Sequence, residues 1–124
     1  MRWIVDGMNV IGSRPDGWWR DRHRAMVTLV ESLERWALVD GAEVTVVFER
    51  PPSPPIESAV VAVTSAPSPA PNSADDEIVR LVRGDPHPEQ IRVATSDRAL
   101  SERVRGAGAT VVPAERLRQL IDPR

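Results

Sequence analysis

A chain of 124 residues falls where single domains are commonest, at about 100–150 residues, so one domain spanning residues 1–124 is expected. Its composition, 41% hydrophobic and 27% charged, suits a globular fold. No apolar run approaches the ~20 residues that cross a bilayer, and the absence of cysteine removes disulfide frameworks, thiolate metal sites and thiol nucleophiles. The chain does not start with a charged segment followed by an apolar one, which makes the cytoplasm the expected location. A net charge of −2, with sixteen basic residues that are all arginine, gives no support by itself to nucleic-acid binding.

Arg2-Trp3-Ile4-Val5 reads as a buried strand that ends on a carboxylate, with Asp6-Gly7 as a turn and a loop following Asn9. From about Arg20 to Val39, Met26, Leu29, Val30, Leu33, Trp36 and Ala37 recur at three- and four-residue spacing, a helix that Gly41 ends. Val44 to Phe48 is apolar and β-branched, as in a strand covered on both faces, with Glu49 at its exit. A weaker strand, Ala59 to Thr64, lies between the proline clusters Pro51–Pro55 and Ser65–Asn72, which read as loops. Ser73 opens a helix that ends at Gly84, and Ser73 with Asp76 matches a capping box. Ile91 to Ala94 is a strand, Thr95-Ser96-Asp97 leads into a helix to about Gly106, and Thr110–Val112 and Ala114–Ile121 follow. Alternating strands and helices predict an α/β fold in three layers, with a mainly parallel sheet between helices on both faces.

Ligands of open α/β sheets bind at the carboxyl ends of the strands, where the strand order reverses. Acids recur there. Asp6 follows the first strand, Glu49 the second and Asp97 the fourth, while Asp75 and Asp76 open the helix before that fourth strand. Each has an ordinary structural explanation, as turn, cap or solvated strand end, except Asp75. Gathered together they would repel and raise one another's pKa, which calls for a cation. Oxygen ligands with little histidine suit Mg²⁺ or Mn²⁺.

Asp6-Gly7-Met8-Asn9, Val46-Val47-Phe48-Glu49, Ser73-Ala74-Asp75-Asp76 and Thr95-Ser96-Asp97-Arg98-Ala99, in this order, resemble the NYN-domain branch of the PIN-like nucleases, and within it the bacterial YacP-like mRNA endoribonucleases. Gly108-Ala109-Thr110-Val111-Val112 near the end extends the match over nearly the whole chain. The resemblance implies a metal held by Asp6, Asp75 and Asp97, with Glu49 and Asp76 as further candidate ligands and Asn9 bracing the site by hydrogen bonds. It also implies RNA hydrolysis on mRNA and the ribosome as a candidate partner; the oligomeric state is left open. Strand order 3-2-1-4-5 is expected, with the first strand central, because the carboxylates on strands one, two and four must converge. Two departures stand out: Glu49 where the family usually has Asp, and Val79 where it often has another acid.

RNA binding needs cations and stacking surfaces. Arg14, Trp18, Trp19, Arg20, Arg22 and Arg24 cluster after Asn9, and Arg98 follows Asp97. Either tryptophan could instead be a staple beneath the helix. Basic residues at a helix N-terminus oppose its dipole. His23 and His87 are too far apart in sequence to favour a two-histidine mechanism. Without lysine or a glycine-rich loop, haloacid-dehalogenase phosphatases, phospho-receivers and P-loop NTPases are excluded. Two alternatives remain: an RNA-binding module with a weakened catalytic site, or the toxin of a toxin–antitoxin pair.

Overall fold

β1 (Arg2–Asp6) is apolar between its charged ends because the protein covers both of its faces: Trp3 and Val5 enter one core, Ile4 the other. The computed structural model describes residues 1–68 and 70–122. β2 (Glu43–Phe48), β3 (Val61–Ser65), β4 (Ile91–Ala94) and β5 (Thr110–Val112) complete a parallel sheet of order β3-β2-β1-β4-β5. The same alternation divides β2, where Val44, Val46 and Phe48 face one side and Val47 the other.

One face carries α1 (Gly7–Ile11), α2 (Arg22–Asp40) and α5 (Ala114–Ile121), and the other carries α3 (Ser73–Arg83) and α4 (Arg98–Gly106). After β1 the chain crosses to β2 and β3, then returns to place β4 on the opposite flank of β1. The order therefore reverses beside β1, and this opens a crevice at the carboxyl edge.

The expected elements form, with local differences. The turn read at Asp6-Gly7 is the start of α1. Gly7 is required by close approach: a Cβ there would lie 2.5 Å from the Phe48 ring. Part of the expected loop after Asn9 is a 3-10 turn at Trp18–Arg20. Next, α2 starts at Arg22 because Asp21 caps it, accepting from the Arg24 amide at 3.0 Å. Such a cap is worth about 1 kcal/mol and places a carboxylate among the arginines that oppose the helix dipole. Gly41 ends α2 in the left-handed region, φ 68°, the usual glycine solution to a helix C-terminus. β3 begins at Val61 rather than Ala59 because the Ser58 hydroxyl accepts from the Val60 and Val61 amides. The capping box at Ser73 does not form: Asn72 is the cap residue, and Ser73 Oγ accepts from the Ala70 amide instead. Pro69, within the second proline cluster, and residues 123–124 of the expected domain lie outside the described residues.

Candidate active site

Asp6 ends β1 at the reversal of strand order, and only 6% of it is exposed. Its Oδ2 accepts from Thr95 Oγ1 at 2.8 Å, and the same hydroxyl accepts from the Asp97 amide at 3.1 Å. One threonine thus links the ends of β1 and β4. Asn9, on the first turn after β1, accepts from the Ser96 amide at 2.8 Å through Oδ1 and ties α1 to the same loop. Ser96 Oγ in turn accepts from the Ala114 amide at the start of α5.

Asp97 caps α4, its Oδ1 accepting from the Leu100 amide at 2.9 Å. A cap engages one carboxylate oxygen and leaves the second for another partner. Asp6, Asn9, Glu49, Asp75 and Asp97 line a single cleft of about 270 Å³. Burial, the largest cause, pushes the Asp6 carboxyl up to about 7; the Thr95 hydrogen bond opposes this, while Asp75, Asp97 and Glu49 add to it. Asp75 is also raised, first by partial burial and then by Asp97, with Arg103 pulling the other way. Asp6 feels three other acids and has one neutral hydrogen-bond donor.

Such a donor set, all oxygen and mutually repelling, has the chemistry that a hard divalent cation satisfies. The assembly is looser than a finished coordination sphere: among the described residues no three Asp, Glu or His side chains stand together as a ready ligand group.

Two expected site residues are directed elsewhere. Asp76, expected as a ligand, does not line the cleft and pairs with Arg103 at 2.9 Å. Arg14, expected on RNA, is held by Glu115 and Asp122 and fastens the segment after α1 to α5. Trp18 is half-buried against the core of α1 and α2, with the Arg22 guanidinium 5.3 Å from its ring centroid. Trp19 is 49% exposed, edge-on to Trp18, with Arg20 beside it. Arg20, Arg22, Arg24 and Arg98 are exposed and make no ion pair among the described residues. Arg22 lies on the Glu49 side of α2, whereas Arg24 turns to a groove between α2 and α5. Thr95 is a functional residue that local patterns do not single out; its signal is a hydroxyl between a strand end and the Asp97 cap. Val79, one turn beyond Asp75, is 2% exposed in the core under α3, so an apolar side chain fills the position where another acid would extend the cluster.

The model of the YacP-like NYN domain matches residues 3–123. This chain belongs to that family. The family is one of ribonucleases, which makes RNA cleavage by hydrolysis the activity class of this NYN domain. The domain is similar to crystal structures of Rae1 (YacP) from Bacillus subtilis. One matches with TM-score 0.79 and 25% identity over 97% of this chain and 73% of the other. A point mutant of the same protein matches with TM-score 0.75 and 27% identity over 96% and 74%. No curated protein matches the chain.

Proposed function

We propose that this NYN domain is a divalent-metal-dependent endoribonuclease acting on mRNA, with Asp6, Asp75 and Asp97 holding the ion and Glu49 reaching it through its longer arm. The observation that carries this reading is the buried Asp6 carboxyl, pushed up to about 7 within a cleft it shares with three other acids. Acids whose pKa values are raised by burial and by one another, gathered in one cleft, mark a candidate functional site, and a divalent cation would offset their repulsion. Mg²⁺ or Mn²⁺ bound there would supply a water of lowered pKa and neutralise charge on the scissile phosphate.

The chain's own side chains do the positioning. Thr95 fixes the Asp6 carboxylate, the α4 cap orients Asp97, and Asn9 holds the loop that carries both. Arg20, Arg22, Arg98 and Trp19 form the exposed cationic and aromatic surface for the RNA strand, and Arg24 joins them only if the strand passes over the α2–α5 groove. Neither histidine lines the cleft: His23 is bonded to Pro54 O, and His87 lies beside Glu89 at the opposite end of β4. Hydrolysis by water joins the water oxygen to phosphorus and breaks one P–O ester bond, leaving no 2′,3′-cyclic phosphate.

A second reading, an RNA-binding module with weakened catalysis, is favoured by Val79 and by the loose spacing of the acids. Incubating RNA with the protein in Mg²⁺, Mn²⁺ or EDTA separates the two. Cleavage that needs metal, disappears in Asp97→Asn and yields no cyclic phosphate supports the nuclease. Binding without cleavage in any metal supports the module. The ribosome as partner rests on the resemblance to YacP-like proteins alone, and adding ribosomes to the same assay tests it.

A further inference from the structure

Beside the acid cleft, sharing Met8 and Glu49 with it, lies a second pocket of about 350 Å³ between the start of α2 and the loop after β2. Its chemistry is the reverse of its neighbour's. Met8 gives it an apolar lining above the buried Met26 and Phe48, and Arg22 and Arg50, both exposed, are among its wall residues, with the Arg22 guanidinium 5.3 Å from the Trp18 ring centroid. Among the described residues neither arginine makes an ion pair. The wall on the loop side is fastened: His23 Nε2 donates to the Pro54 carbonyl at 2.8 Å, an assignment that follows because a carbonyl only accepts. The Phe48 ring is seated by Gly7, where no side chain would fit.

We propose that this pocket receives the base of the nucleotide next to the scissile phosphate, with Arg22 and Arg50 on the phosphates that flank it. The proposal rests on the RNA-cleaving reading above and assigns the substrate's path. Single-stranded RNA is held by cations that follow its backbone and by surfaces on which bases rest. A cleft lined by four carboxylates repels that backbone, so compensating charge has to lie close by, and Arg22 and Arg50 line the pocket that shares Met8 and Glu49 with the cleft. A polyanion is favoured over an apolar peptide segment for the same reason. The volume lies within the ~300–1,000 Å³ typical of small-ligand pockets. Flexible thioethers that rest against ring edges accept any base, which suits binding without a fixed sequence.

The test uses single-stranded RNA carrying 4-thiouridine, bound in EDTA so that cleavage plays no part, then photocrosslinked and mapped by mass spectrometry. Crosslinks are expected on peptides containing Met8 or Pro51–Ser53. In the Arg22→Ala/Arg50→Ala double variant, whose fold is checked by its thermal melt, the slope of log K against log[salt] should flatten by about 0.7 per arginine, which is roughly a 25-fold loss of affinity at 0.1 M salt. Crosslinks confined to Trp18–Trp19 or α4, or an unchanged slope, would overturn the pocket and leave the nuclease reading standing. Absence of any RNA binding would overturn it as well. Failure of the nuclease reading shows separately, as wild-type protein that cleaves nothing in Mg²⁺ or Mn²⁺.

Discussion

Asp6 and Glu77 are almost equally inaccessible, at 6% and 7% exposed, yet their surroundings are opposite. Glu77 receives a two-pronged bond from Arg80, Nε and Nη2 each at 2.7 Å, and the arginine holds its carboxyl below the usual range. Arg80 is itself 67% exposed, so the pair sits at the surface. Asp6 lies among three acids with a threonine hydroxyl as donor, and its carboxyl is pushed up to about 7. A carboxylate paired in one helical turn serves the fold, whereas one left among like charges costs stability, which the proposed cation would offset.

Activity gives the widest separation. Asp6→Asn and Asp97→Asn should each lower kcat by at least about a hundredfold, while Glu77→Gln leaves it unchanged, as single-turnover cleavage of a labelled RNA will report. Equal losses in all three would erase the distinction.

Stability against pH should separate them in sign. The Asp6 pKa is raised in the folded protein, so the metal-free fold binds the proton more tightly than the unfolded chain. Its contribution is present at low pH and is lost as pH rises from about 4 to about 7, by roughly 4 kcal/mol as an upper bound. Asp6→Asn should therefore raise the Tm at pH 8 and flatten this limb. The Glu77 pKa is lowered, so its contribution is present above the ordinary glutamate range and is lost as pH falls through the folded value. For a surface pair this amounts to about 0.5 kcal/mol. Denaturant melts of both variants from about pH 2 to about pH 8 read the two signs, the Glu77 limb below the ordinary glutamate range and the Asp6 limb above it.

Smaller effects should distinguish scaffold arginines from substrate arginines. Arg14→Ala removes two ion pairs, one to Glu115 on α5 and one to Asp122 just after it, and should lower stability by about 1 kcal/mol or less, with the RNA salt slope unchanged. Arg20→Ala should leave the melt alone and flatten the slope by about 0.7. A flattened slope for Arg14→Ala would return that residue to the RNA surface.

Much of this was legible because parallel sheets write themselves as apolar runs that end on punctuation: Trp3 to Val5, Val44 to Phe48 and Ile91 to Ala94 gave the strands. The reversal of order beside β1 then directs attention to Asp6 and Asp97. What local reading does not supply is pairing across long sequence separation. Arg14 pairs with Glu115 on α5 and with Asp122 just after it, and Asp76 pairs with Arg103, contacts that no local pattern announces. Gly7 read as a turn because its true requirement, contact with the Phe48 ring, lies forty-one residues away. Thr95 drew no role because a hydroxyl gains meaning only when the carboxylate across the crevice is known.

The central claim is that Asp6 is kept uncompensated for a cation, and a ¹³C-carboxyl NMR titration of Asp6 with and without Mg²⁺ tests it most directly. The account predicts a midpoint near 7 in the metal-free protein that falls toward the ordinary aspartate range, about 3.9, once Mg²⁺ binds. A midpoint already ordinary without metal, or one near 7 that Mg²⁺ leaves unmoved, would contradict it.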